Sequence, residues 1–173
     1  MSMTLISTVT AASTQASLDF NSIPGTFTDL LLVVSVRSTF SGLQDDIGLK
    51  INGSTANGSQ RYLQGTGAAA SSNNNTYIVN TLEPAATSTA STFGNTSIYI
   101  PNYAGATNKS ISTDNIMETN GSTSYQRIIA GLWSQTAAIT SLSIYSLNGA
   151  SLVQYSTASL YGITKGSGGA SVA

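Results

Sequence analysis

The strongest constraint on this chain is a recurrence. Short runs rich in Val, Ile, Thr, Tyr and Leu are broken every few residues by clusters of Gly, Asn and Ser. β-Branched and aromatic residues suit a pleated, half-buried surface, and runs of them bounded by turn formers read as strands. Helix formers are sparse, and no window combines apolar residues at i, i+3, i+4 and i+7 with helix caps at its ends. The runs predict strands at 4–9, 16–20, 28–37, 46–52, 60–64, 76–82, 96–100, 109–118, 125–133, 140–147, 150–155 and 157–164. About ten short strands at this regular spacing predict an all-β fold, an antiparallel β-sandwich of jelly-roll-like form.

Individual runs carry more detail. Leu30, Leu31, Leu32, Val33 and Val34 are apolar at successive positions, which predicts a central strand covered on both faces. In 46–52, Ile47, Leu49 and Ile51 alternate with Gly48 and Lys50, and the run ends at the turn pair Asn52-Gly53. Asn120-Gly121 joins 109–118 to 125–133 as a hairpin with a longer loop, and Asn148-Gly149 predicts a two-residue hairpin between 140–147 and 150–155. The Ala/Ser/Thr/Asn stretches 65–75 and 84–91 lack aliphatic periodicity and read as long loops. Residues 1–165 form one domain on this reading, and 166–173, a Gly/Ser/Ala run, a flexible tail.

Composition narrows the function classes. Only 8% of the 173 residues are charged, against roughly 25% in an ordinary domain, while 28 Ser and 23 Thr are present. The surface is therefore hydroxyl, amide and glycine, which suits assemblies whose surfaces meet other subunits. Six basic residues scattered along the chain give no nucleic-acid footprint. The opening residues lack the basic and apolar regions of a signal peptide, and residues 30–34, the longest apolar run, are too few to cross a bilayer. The expectation is thus no nucleic-acid partner and no membrane.

Chemistry-bearing patterns are scarce. The chain has no His and no Cys, which removes Ser-His-Asp and Cys-His arrangements and the usual zinc ligands. No phosphate-binding glycine motif occurs. Seven carboxylates remain, at Asp19, Asp29, Asp45, Asp46, Glu83, Asp114 and Glu118. Two of them facing each other across a groove could cleave a glycoside, and Asp45-Asp46 could hold a hard cation such as Ca²⁺. Turn and surface roles are the stronger reading for both, so no catalytic residue, metal or cofactor is assigned. The eight tyrosines and Trp133 could form a sugar-stacking platform, but on strands they more often fill cores and interfaces. Arg37, Arg61 and Arg127 lie near strand ends and are expected to pair with Asp or Glu or to cross a subunit boundary; the alternative is a solvated edge residue. Pro101 ends its strand, and Asn102 and Tyr103 behind it are expected to project as a contact loop; the alternative folds Tyr103 back onto its own domain. These six residues are the candidate contacts with other subunits.

Several segments taken together carry a resemblance. They are Phe27-Thr28-Asp29-Leu30-Leu31-Leu32 leading to Arg37-Ser38, and Leu49-Lys50-Ile51-Asn52-Gly53 followed by Arg61-Tyr62-Leu63. Further on come Ile98-Tyr99-Ile100-Pro101-Asn102-Tyr103-Ala104-Gly105, Ala130-Gly131-Leu132-Trp133 and Ser159-Leu160-Tyr161-Gly162-Ile163. The ensemble, spanning residues 3–165, resembles small virion structural proteins of tailed bacteriophages. The resemblance implies a jelly-roll-type module on the capsid surface. It would be a head-decoration (cement) protein, expected as a homotrimer, that binds the major capsid protein and stabilises the shell. The alternative it implies is a tail-fibre or head-fibre domain binding host-surface glycan.

Overall fold

The computed structural model describes residues 2–121 and 123–165; the expected tail 166–173 lies outside them. The described residues hold twelve strands and no helix. They are β1 (Ser2–Thr10), β2 (Ser17–Phe20), β3 (Asp29–Ser35), β4 (Gln44–Ile51), β5 (Gly58–Gly65), β6 (Ala70–Asn75), β7 (Asn80–Pro84), β8 (Asn95–Pro101), β9 (Lys109–Met117), β10 (Tyr125–Trp133), β11 (Leu142–Ser146) and β12 (Thr157–Thr164). All pairings are antiparallel. An eight-stranded sheet runs β1-β12-β3-β8-β9-β10-β5-β6 and a four-stranded sheet runs β2-β11-β4-β7. The all-β sandwich expected from the strand spacing is the observed architecture.

Alternation builds the core between the sheets. Leu30, Leu32 and Val34 of β3, Ile98 and Ile100 of β8, and Leu160 of β12 point inward from the large sheet. Leu18, Ile47, Leu49, Ile51, Leu142 and Ile144 meet them from the small one. β3 is central, as its apolar run predicts, but its outer face is not covered: Leu31 is half-buried and Val33 is exposed. The small sheet is half as wide as the large one, so cover on the inner side gives out towards the β5–β6 hairpin. β6 is exposed along nearly its whole length.

Three expectations need correction. Residues 70–75 form β6 and not a loop; the strand buries neither face, so its Ser/Asn sequence carries no apolar alternation, and backbone pairing with β5 holds it. Residues 150–155 form no strand against β11, because β2 and β4 already occupy both edges of β11. The chain turns at Asn148-Gly149 and crosses to the large sheet, touching Gln15 and Ser38 through Leu152. Finally, the strand expected at 76–82 begins only at Asn80, although Ile78 and Val79 are buried.

Candidate interaction surface

The contact loop does not project. β8 ends at Pro101, Asn102 turns with φ of 49°, and Tyr103 folds back to full burial, its hydroxyl donating to the Pro24 carbonyl. Burial raises the Tyr103 pKa, and the ring joins the hydrophobic core. The expectation that Tyr103 meets a neighbour is therefore corrected: an aromatic ring this close to the sandwich end gains more by filling it than by facing water. Asp29 locks the same turn, accepting from the Asn102 N–H at 2.9 Å and the Tyr99 hydroxyl at 2.7 Å, with Lys165 Nζ at 3.4 Å. Burial alone would raise the Asp29 pKa, but these three partners together hold it below the usual range.

Two of the three arginines also turn inward. Arg37 is buried and, among the described residues, pairs with no carboxylate; its guanidinium donates to the carbonyls of Ala86, Ser88, Thr89 and Thr92, four acceptors that shape the 86–92 loop. Arg127 is buried at the junction of the sheets. It donates to Gln64 Oε1 at 2.6 Å and to Asn80, lies 4.4 Å from the Tyr62 ring centroid, and reaches Asp46 only at 4.0 Å. Arg37 is thus corrected to an internal clamp on loop carbonyls, whereas Arg127 keeps an expected carboxylate partner in Asp46 and clamps amide and carbonyl groups besides, since five forked N–H donors match carbonyls as well as carboxylates. Arg61 alone of the three is exposed, on the outer face of β5.

That outer face has a distinct chemistry. Pairing register places Leu63, Ile128 and Asp114 in one row across β5, β10 and β9, with Ser97 and Val33 continuing it on β8 and β3. The next row holds Arg61, Ala130, Ser112 and Tyr99. Leu63 is 64% exposed, Ile128 59% and Ile116 41%. Shallow concavities run along this face, from Ser72 and Asn74 past Ile128 to Tyr99 and Pro101. Across β8, β9, β10, β5 and β6, Arg61 and Asp114 are the only charged residues that point outward.

The free edge of β7, by contrast, is sealed from within. Asn115 of β9 accepts from the Leu82 N–H and donates to the Leu82 carbonyl, both at 3.0 Å, so one side-chain amide takes the place of a neighbouring strand. Gln60 of β5 accepts from the Asn80 N–H at 2.8 Å. Behind this seam, Glu83 is fully buried, with one carboxyl oxygen taking Thr96 and Asn115 and the other without a partner. Burial pushes its pKa up to about 8, so the group is protonated at neutral pH. A methyl group at Gly94 would collide with this carboxyl, which explains glycine there. Asp45 is the cross-strand neighbour of Glu83 and is also buried, bonded to Asn148 Nδ2 at 2.8 Å. The two carboxyls are sequestered in the sandwich and do not flank an open groove. Among the described residues no three His, Cys, Asp or Glu side chains gather as metal ligands. Protein-family models, curated proteins and solved structures give no match to this chain.

Proposed function

We propose that the chain is a non-enzymatic virion structural protein, a capsid decoration protein that seats the outer face of its large sheet on the major-capsid shell. The observation that carries this reading is that face: a wide, nearly uncharged surface on which Leu63, Ile116 and Ile128 stand exposed. Contiguous exposed apolar area of this kind marks a docking surface. Arg61 and Asp114 would fix orientation at its centre, as isolated charges do in otherwise apolar interfaces. Support also comes from the carboxylates most deeply buried, Asp29, Asp45 and Glu83, whose bonds go to the protein itself. A shell-binding protein stabilises its particle by the free energy of binding.

The test uses DNA-filled heads lacking the protein, with purified protein added back. Wild-type protein raises the temperature at which DNA is released, and Ile128→Lys protein, which keeps its fold, restores less of the difference. Unchanged head stability with lost adsorption to the host would transfer the protein to the fibre reading, with host glycan as its ligand.

A further inference from the structure

The remaining edge of the large sheet points to a self-association site independent of shell binding. β1 is an outermost strand of nine residues, paired on one side only. It contains no charged residue and no proline, and among the described residues no strand or side-chain amide covers its free side. Soluble proteins guard such edges with Lys, Pro or a covering loop, because a bare ladder of N–H and C=O groups recruits another strand. Here the edge is also apolar: Met3 is 59% exposed and Leu5 52%.

We infer that β1 pairs with β1 of a second copy, antiparallel and centred on Thr4, joining two large sheets into one continuous sheet. The side chains select this occupant. In that register Met3 of each copy faces Leu5 of the other. Met3 already lies against Ile163 of β12, and Leu5 against Tyr161. Two apolar rows, Ile163-Met3-Leu5-Tyr161 and its symmetry mate, then cross the two-fold axis unbroken. Cross-strand apolar pairs are the unit of sheet stabilisation. The opposite edge of the sheet, β6, offers only Ala, Ser and Asn and would leave Met3 and Leu5 against polar partners. A bulge between Leu5 and Ser7 ends the regular stretch, so the ladder is confined to the segment that carries the apolar pair. Pairing of identical edges closes at two copies and leaves no β1 edge for growth.

The absence of cysteine from the chain makes the test direct. Thr4→Cys places a single thiol beside its own symmetry mate, and mild oxidation should give a covalent dimer. Ser72→Cys, on the β6 edge, should not cross-link. Light scattering between micromolar and hundred-micromolar concentration should show a monomer–dimer equilibrium for the wild type. Leu5→Lys should abolish it while leaving unchanged the β-type circular dichroism and the urea midpoint measured at a dilution where the wild type is monomeric. A concentration-independent monomer, a trimer in which Thr4→Cys stays reduced, or cross-linking through Ser72→Cys instead would overturn the inference. So would a dimer that forms only after residues 166–173 are removed, because the occupant of the edge would then be the chain's own tail.

Discussion

The edges of β7 and β1 answer the same physical problem in opposite ways. Each strand ends a sheet and presents unpaired backbone groups. At β7 the large sheet reaches across with Asn115 and Gln60, and their amides take the Leu82 N–H and C=O and the Asn80 N–H. At β1 no described residue supplies an equivalent, and the strand keeps two large apolar side chains exposed. The difference teaches that this sandwich can close an edge with side chains alone where the sheets converge, and that exposure at β1 is a property of that edge rather than of the fold. A buried unsatisfied backbone group costs about 1–3 kcal/mol, which is why the converging edge must be sealed, whereas a solvent-facing ladder costs nothing until a partner arrives.

The largest expected effect comes from breaking the seal. Asn115→Ala strands the Leu82 N–H and C=O in the interior and removes a donor from Glu83, and should destabilise by about 3 kcal/mol or more in urea melts. If the loss is below about 0.5 kcal/mol, water or a neighbouring group has taken the place of the amide and the seal is dispensable.

Glu83 gives the next effect, read along pH. Its folded pKa of about 8 lies above the ordinary value of 4.5. The unfolded chain therefore loses this proton first, and the stability the group contributes is fully present below about pH 4.5 and lost as pH rises to about 8. The slope approaches about 1.4 kcal/mol per pH unit within that window. Asp29, with its lowered pKa, acts in the opposite sense, losing its contribution as pH falls through its folded value. Chemical denaturation at a series of pH values should show the decline for the wild type and a flatter curve for Glu83→Gln.

A smaller change tests the same seam at one bond. Gln60→Ala removes the acceptor of the Asn80 N–H and should cost about 1–2 kcal/mol. The smallest effect belongs to the bare edge. Leu5→Lys should alter the stability of the isolated fold by no more than about 0.5 kcal/mol, since it removes little buried area. A large loss at Leu5 would mean that β1 is covered in the monomer, and the contrast between the edges would collapse.

Much of this fold is legible in the sequence, and the illegible parts share a cause. β9 and β10 are readable because each has one buried and one wet face, and β3 because its inner positions are aliphatic. β6 is invisible because it buries nothing, and alternation exists only where a core imposes it. Asn148-Gly149 marks a true turn, but the partner of the strand behind it is set by which edges are free, a property of the whole sheet. The interaction surface is harder still. Asn115 and Gln60 lie on the inward rows of their strands, where a polar residue in an alternating run looks the same whether it meets water or a strand edge. Arg37 and Arg127 were traceable as unusual in so uncharged a chain, yet their acceptors are loop carbonyls and amides that no spacing encodes. Ile128 and Leu63 do read as strand residues; their exposure becomes visible only when the pairing register puts them on the outer face of the large sheet, which no second layer covers among the described residues.

The position of β12, inserted between β1 and β3, has a kinetic consequence. Translation delivers β1 and β3 early and β12 after every other strand. Until residues 157–164 leave the ribosome, the facing ladders of β1 and β3 have no partner, and the large sheet is split at that seam. Pairings that wait for distant segments slow folding and lengthen the life of exposed edges. Completion of this sheet therefore waits for the last of its twelve strands, and nascent chains stalled before β12 are the species most prone to aggregate.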